Sequence, residues 1–142
     1  MKELFDPQDE IEIKDRLSSL QNEVKLILFT QTLNCETCPE VERLVRAVVQ
    51  FSDKLKLETY NPQIDREKSA HYGVSRVPAL VIEGDRDYGI RYYGIPGGYE
   101  FAALLEDILA VGKRESGLTD LSKQKIQELI QPLNLKVFVT PT

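Results

Sequence analysis

The order of short apolar runs and amphipathic segments predicts an α/β protein, with helices covering both faces of a central sheet. Residues 24–30 and 79–83 are nearly continuous in apolar side chains, as strands covered on both faces are. Segments with apolar residues at helical spacing stand before, between and after them. At 142 residues the chain has room for one domain with a proper core, or for one small domain and an appendage.

Residues 7–20 read as the first helix. Asp6 or Pro7 starts it, Asp9 and Glu10 suit the positive end of the dipole, and Ile13, Leu17 and Leu20 share a face. Residues 24–30 follow as a strand. From 39 to 51 the residues Val41, Leu44, Val45, Val48 and Val49 recur at helical spacing, and Pro39 falls in the first turn, where its missing amide hydrogen costs little. Residues 55–60 alternate like a strand closed by Asn61-Pro62, and residues 64–72 form a short helix with Gly73 as its C-terminal cap. A buried strand at 79–83 turns at Gly84-Asp85 into a partner strand at 88–93. Beyond the glycine-rich connection 94–98, a helix at 100–111 puts Phe101, Leu104, Leu105, Ile108 and Leu109 on one face. Tyr88, Tyr92, Tyr93 and Tyr99 read as strand and loop packing, and Asp85-Arg86-Asp87 as a solvated hairpin tip.

The last residues repeat the first. Ile126, Leu129, Ile130 and Leu133 form an amphipathic helix, and residues 135–140 read as another buried strand. Aligning Thr30 with Thr140 pairs Ile27 with Val137, Leu28 with Phe138 and Phe29 with Val139. A helix and a strand without partner layers make no core of their own. The expected division is therefore residues 1–115 as one complete unit and 116–142 as the first helix and strand of a second, similar unit cut short. Without the rest of that unit, residues 117–142 are expected to be poorly ordered or to borrow a neighbouring molecule's edge; an extension packed on the first unit is the alternative.

Composition narrows the function. A formal net charge of −5 argues against a nucleic-acid partner, which would normally meet a basic face. The first residues, Met1 to Pro7, hold no apolar leader, and no run approaches the ~18 apolar residues that cross a bilayer. The expected location is cytoplasmic, with no membrane partner. The two cysteines, Cys35 and Cys38, lie three residues apart where a strand hands over to a helix. That spacing reads as a redox site, and also as half of a zinc site. Zinc wants four ligands, and the remaining candidate, His71, sits in a polar helix and reads as a surface residue. A zinc or iron–sulfur site shared between two chains stays open as an alternative.

The order of elements, the Cys35-Glu36-Thr37-Cys38 loop and Arg76-Val77-Pro78 together resemble the thioredoxin superfamily. Pro78, 40 positions after Cys38 and just before a buried strand, stands where that family has its cis-proline. Two stretches resemble a narrower branch, the two-unit protein disulfide oxidoreductases, or glutaredoxin-like proteins, of thermophiles. They are Tyr88-Gly89-Ile90-Arg91-Tyr92-Tyr93-Gly94-Ile95-Pro96-Gly97-Gly98-Tyr99-Glu100-Phe101 and Lys136-Val137-Phe138-Val139-Thr140-Pro141-Thr142. The resemblance implies a thioredoxin-like α/β/α sandwich on a central mixed sheet, with the site in the first of two units. It also marks departures. Asn34 replaces the tryptophan before the first cysteine, and Phe29 replaces the buried aspartate that accepts the resolving thiol's proton. Thr32-Leu33-Asn34 supplies no cation for glutathione, although Gly97-Gly98-Tyr99-Glu100 keeps an acidic version of a glutaredoxin element.

By that resemblance the chain is a thiol–disulfide oxidoreductase that reduces, forms or isomerises protein disulfides. It needs no cofactor beyond the Cys35–Cys38 disulfide and no metal, and its expected partners are protein thiols and disulfides with a thioredoxin-reductase-like electron donor. Cys35, at a helix N-terminus, is the expected nucleophile, and Cys38, one turn inside the helix and more buried, the resolving thiol. Glu36 opposes the thiolate, so a fairly reducing site is expected. The backbone of Val77, turned outward by a cis Pro78, would pair with an extended substrate, with Asn34, Glu36 and Thr37 around it. A trans Pro78 that merely starts a strand is the plain alternative, and a non-catalytic docking module is the other function class.

Overall fold

The computed structural model describes residues 4–140. Helix α1 (Pro7–Ser18) opens with a reciprocal cap: the Asp6 carboxylate accepts from the amides of Gln8 and Asp9 at 2.8 Å each, and the Asp9 carboxylate accepts from the Asp6 amide at 3.4 Å. The helix buries Ile13 and Leu17. Strand β1 (Val24–Phe29) follows and carries one charged residue, Lys25. Its parallel neighbour β2 (Leu55–Tyr60) requires a crossover, which helix α2 (Cys38–Val49) supplies. Helix α3 (Arg66–Tyr72) leads to β3 (Ala79–Glu83), which returns antiparallel on the other side of β1, and β4 (Asp87–Tyr93) pairs antiparallel with β3. Helix α4 (Tyr99–Lys113) completes the unit. The strand order β2-β1-β3-β4 makes the sheet mixed.

Alternation along the strands fills both faces. Leu26 and Leu28 of β1 and Leu80 and Ile82 of β3 join the core made with α1, α2 and α4, while Ile27, Phe29, Ala79 and Val81 meet Tyr72 and Val74 on the α3 side. This is the three-layer α/β/α arrangement that the sequence predicts. Gly112 marks the closest approach of α4: a Cβ there would overlap Leu20 Cδ1 and press on Val24.

Three expectations need correction. Helix α3 begins at Arg66 rather than Ile64, because residues 61–65 close a turn of their own. The amides of Ile64 and Asp65 donate to the Asn61 carbonyl at 3.0 and 2.7 Å, and the Gln63 amide donates to Asn61 Oδ1 at 2.9 Å. Tyr99 packs on nothing and is largely exposed. The hairpin tip is solvated as expected, with Asp85, Arg86 and Asp87 all exposed, and Arg91 holds the Asp87 carboxylate with two bonds of 2.8 and 2.6 Å while the Gly89 amide donates to it at 2.9 Å. Those contacts, Arg91 first, hold the Asp87 carboxyl below its usual range.

The third correction is the tail. Helix α5 (Asp120–Gln127) is capped by Thr119 Oγ1, which accepts from the Ser122 amide at 3.2 Å, yet none of its residues is buried. It stops before Leu129, Ile130 and Leu133, where Pro132 pushes the preceding residue out of helical geometry. Residues 135–140 form no strand and are exposed. A strand is held by a ladder partner, and none pairs with this segment among the described residues. Pro141-Thr142, the end of the internal repeat, and Met1-Lys2-Glu3, where a leader was sought, lie outside the described residues.

Candidate active site

Strand register decides which loops meet. Phe29 pairs with both Tyr60 and Ala79, and Ala79 pairs with Tyr93. The loops after β1, after β2, before β3 and after β4 therefore gather at one end of the sheet. Two backbone bonds extend the ladder there: Thr30 N–H to the Tyr60 carbonyl at 2.9 Å, and Gly94 N–H to the Pro78 carbonyl at 3.2 Å.

The cysteine loop is folded by its own side chains. Gln31 Nε2 donates to the Leu33 carbonyl at 2.7 Å, and Asn34 adopts φ 56°, a left-handed conformation that a short polar residue tolerates better than most. Cys35 and Cys38 are joined by a disulfide with Cα atoms 5.5 Å apart. Cys38 is 1% exposed, whereas Cys35 is half-buried, so the two residues of the pair differ in access to solvent. Asn34, Glu36 and Thr37 are exposed around them.

Cys38 was expected one turn inside α2; it is the first residue of that helix, and Cys35 lies ahead of it. Pro39 is the physical reason. It has no amide hydrogen to give the Cys35 carbonyl, so the first helical bond runs from Val41 N–H to the Thr37 carbonyl at 3.1 Å. Pro39 also leaves only Cys38 and Glu40 to present the amides that a first turn does not use internally. The Thr37 side chain does not cap the helix.

At the far side of the loop the Val77–Pro78 peptide is cis, as the resemblance implies. Pro78 is buried and Val77 half-buried against the α3-side core, while the Arg76 guanidinium lies 4.7 Å over the Tyr93 ring. Phe29, in the position of the missing acid, is fully buried, with the Tyr60 and Tyr72 rings 5.7 and 6.0 Å away. The ionic contacts of this face sit toward the start of β1. Lys25 Nζ stands 3.5 Å from Glu58 and 3.9 Å from Glu83. The Tyr60 hydroxyl, and then Lys25, lower the Glu58 carboxyl, and burial together with Glu83 raises the Tyr72 phenol.

Three residues that the sequence did not single out lie beside the cysteine loop: Leu33, Asn61 and Ile64. They border a cleft of about 450 Å³ beside Asn34. The signal was present as two aliphatic residues in otherwise polar loops. His71 remains apart from the cysteines on exposed helix surface, with its ring edge-on to Tyr72 at 4.7 Å. Among the described residues no three of His, Cys, Asp and Glu cluster as metal ligands.

A family model described as a thioredoxin domain matches residues 23–106. The chain is 37% identical over 87 residues to a probable thioredoxin of Methanothermobacter marburgensis, covering 60% of this chain and 96% of that protein. It is 34% identical over 68 residues to a thioredoxin of Methanocaldococcus jannaschii, 47% of this chain and 79% of that one. A protein disulfide oxidoreductase from Aeropyrum pernix superposes with a TM-score of 0.78 at 30% identity, over 91% of this chain and 56% of that chain. A domain of alkylhydroperoxide reductase from Enterococcus faecalis shares the fold, with a TM-score of 0.77 at 22% identity over 86% of this chain and 59% of that one. This chain thus spans a little over half the length of either solved chain. No helix among the described residues is long and apolar enough to cross a membrane. With a disulfide-forming Cys-x-x-Cys pair at the end of β1 and a family match over more than half its length, the chain belongs to the thioredoxin family and its chemistry is thiol–disulfide exchange.

Proposed function

We propose that this chain reduces, forms or isomerises disulfides in other proteins, with Cys35 as the attacking sulfur and Cys38 as the resolving one. The observation that carries the assignment is the difference in exposure within the pair, Cys38 buried and Cys35 half-open. In the reducing direction the Cys35 thiolate attacks one sulfur of a substrate disulfide. A Cys35–substrate bond forms, the substrate S–S bond breaks, and the departing sulfur leaves with the electron pair and takes a proton. Cys38, deprotonated, then attacks Cys35 Sγ, forms the intramolecular disulfide and releases the second substrate thiolate. Two electrons pass from the dithiol to the substrate, and the reverse sequence oxidises a dithiol.

Another group or water serves as the proton acceptor for Cys38, since Phe29 occupies the place of the family's acid. Asn34, Glu36, Thr37 and the Val77–Pro78 backbone frame the substrate, which adds to the Val77 backbone as an extended segment. Electrons come from a thioredoxin-reductase-like donor, and the couple needs no metal or other cofactor. A reducing, cytoplasmic setting suits two cysteines that cycle rather than staple. Residues 116–142 belong to the start of a second, similar unit, a reading supported by the repeat of the β1 pattern at residues 137–139.

Insulin reduction by dithiothreitol tests the assignment. The chain should accelerate it, Cys35→Ser should return the rate to that of dithiothreitol alone, and Cys38→Ser should accumulate a mixed disulfide through Cys35. Equal rates for the chain and Cys35→Ser would remove the catalytic claim.

A further inference from the structure

A cleft of about 520 Å³ opens between the β3–β4 turn, the end of α4 and the first turn of α5. Glu83 pairs with Asp87 beside it, whereas Ala79 pairs with Tyr93 at the cysteine end of the sheet. Two of its walls are locked together: a Cβ on Gly84 would stand 2.7 Å from Val111 Cγ1, so the turn meets α4 this closely only as glycine. The Tyr88 hydroxyl donates to Asp85 at 2.7 Å, and Arg114 Nε stands 3.9 Å from the same carboxylate. Ile90, Ala110, Val111 and the Tyr88 ring make the apolar part of the lining. Arg86, Arg114 and Lys123 face the same space, against the carboxylates of Asp107 and Glu115. Asp107 already accepts the Tyr92 hydroxyl at 2.6 Å. The Arg86 guanidinium is held 4.7 Å over the Tyr88 ring, and neither it nor Lys123 has a carboxylate partner among the described residues. Arg114 takes the left-handed cap of α4 at φ 60°, where glycine is the usual residue. In a chain of net charge −5, cations outnumber carboxylates here.

We propose that this cleft binds a small organic oxyanion, a phosphate or carboxylate carried on a flat apolar body. The oxyanion takes donors from the Arg86 and Arg114 guanidiniums, whose planar forks suit paired oxygen acceptors, and from Lys123. The body covers Ile90, Ala110, Val111 and the Tyr88 ring. A bare anion leaves that apolar lining wet, and an uncharged body gains nothing from the cations, so the two parts bind better joined than apart. Asp107 and Glu115 offset two of the three positive charges, which favours a small anion over a polyanion. The inference stands apart from the exchange reading, because the cysteine loop follows Phe29 at the opposite end of the sheet.

The test titrates the full chain, isotope-labelled for amide NMR, with naphthyl phosphate, naphthoate, inorganic phosphate and naphthol. Naphthyl phosphate or naphthoate should give saturable shifts centred on residues 84–90 and 110–116, and whichever of the two binds tighter identifies the anion the cleft takes. The tighter one should bind about tenfold more strongly than either inorganic phosphate or naphthol. Arg114→Gln and Lys123→Gln should each weaken it about tenfold and leave the weak binding of naphthol unchanged, while Arg114→Lys should lose less than Arg114→Gln. All three substitutions fall on exposed side chains, and a dispersed amide spectrum confirms that each variant is folded. Shifts confined to the exposed tail at 129–139, or to the cysteine loop, overturn the inference, as does the absence of any saturable shift. Inorganic phosphate binding as tightly as naphthyl phosphate, or affinities untouched by both glutamine variants, overturns it too.

Discussion

Phe29 shows how a single residue fixes what this site can do. The side chain is fully buried between Tyr60 and Tyr72, and an aspartate there would trade that packing for a desolvated carboxylate. Phe29→Ala should cost about 3–5 kcal/mol in urea unfolding. Phe29→Asp should cost more at neutral pH and regain part of it in acid, because burial raises a carboxyl and the penalty grows as pH rises through its unfolded value of about 3.9. An aspartate variant as stable as the native chain at pH 7 would show that the position is wet or paired. The two cysteines were legible as a pair from spacing alone. Their inequality was legible too, with Cys38 expected as the more buried of the two, but the helix start at Cys38 was not, because it depends on Pro39 withholding one hydrogen.

Elements were legible where one residue type forces them. Asp6 and Pro7 started α1 as expected, Gly73 at φ 65° ends α3, and the β1 and β3 apolar runs became the two central strands. Contacts between distant elements were not, and the join of β4 to α4 is one. The Tyr92 hydroxyl donates to Asp107 Oδ2 at 2.6 Å, two residues with no sequence signature as partners. Burial first, then the bond to Asp107, raises the Tyr92 phenol above its ordinary value. A raised value in the folded state means that the contribution is complete below an unfolded value of about 10 and is lost as pH climbs above it. The urea midpoint of the native chain should therefore fall between pH 9 and pH 11, and Tyr92→Phe should flatten that fall while costing about 1 kcal/mol at pH 7. An identical alkaline slope in the variant would mean that the bond to Asp107 does not persist in solution; Tyr72, raised by burial and Glu83, supplies the remaining slope.

At the scale of the whole molecule, two parts of very different character share one chain. Up to Lys113 every element contributes to a core that closes on both faces of the sheet. Beyond it, Leu129, Ile130, Leu133, Leu135, Val137, Phe138 and Val139 are all exposed, although their pattern copies that of the first helix and strand. The pattern was readable because periodicity is a local property. That it would not fold alone was readable too, because a helix and a strand without partner layers make no core of their own, and a strand depends on a neighbour that this segment does not bring. Since α5 buries nothing, removing residues 116–142 should take away little apolar burial from the unit that precedes it. The shortened chain should keep its urea midpoint, keep its rate of insulin reduction, and lose most of the binding of a hydrophobic dye such as anilinonaphthalene sulfonate that the exposed tail supports. A shortened chain that unfolds at markedly lower urea would show that the tail packs on the first unit, and would defeat its reading as the beginning of another.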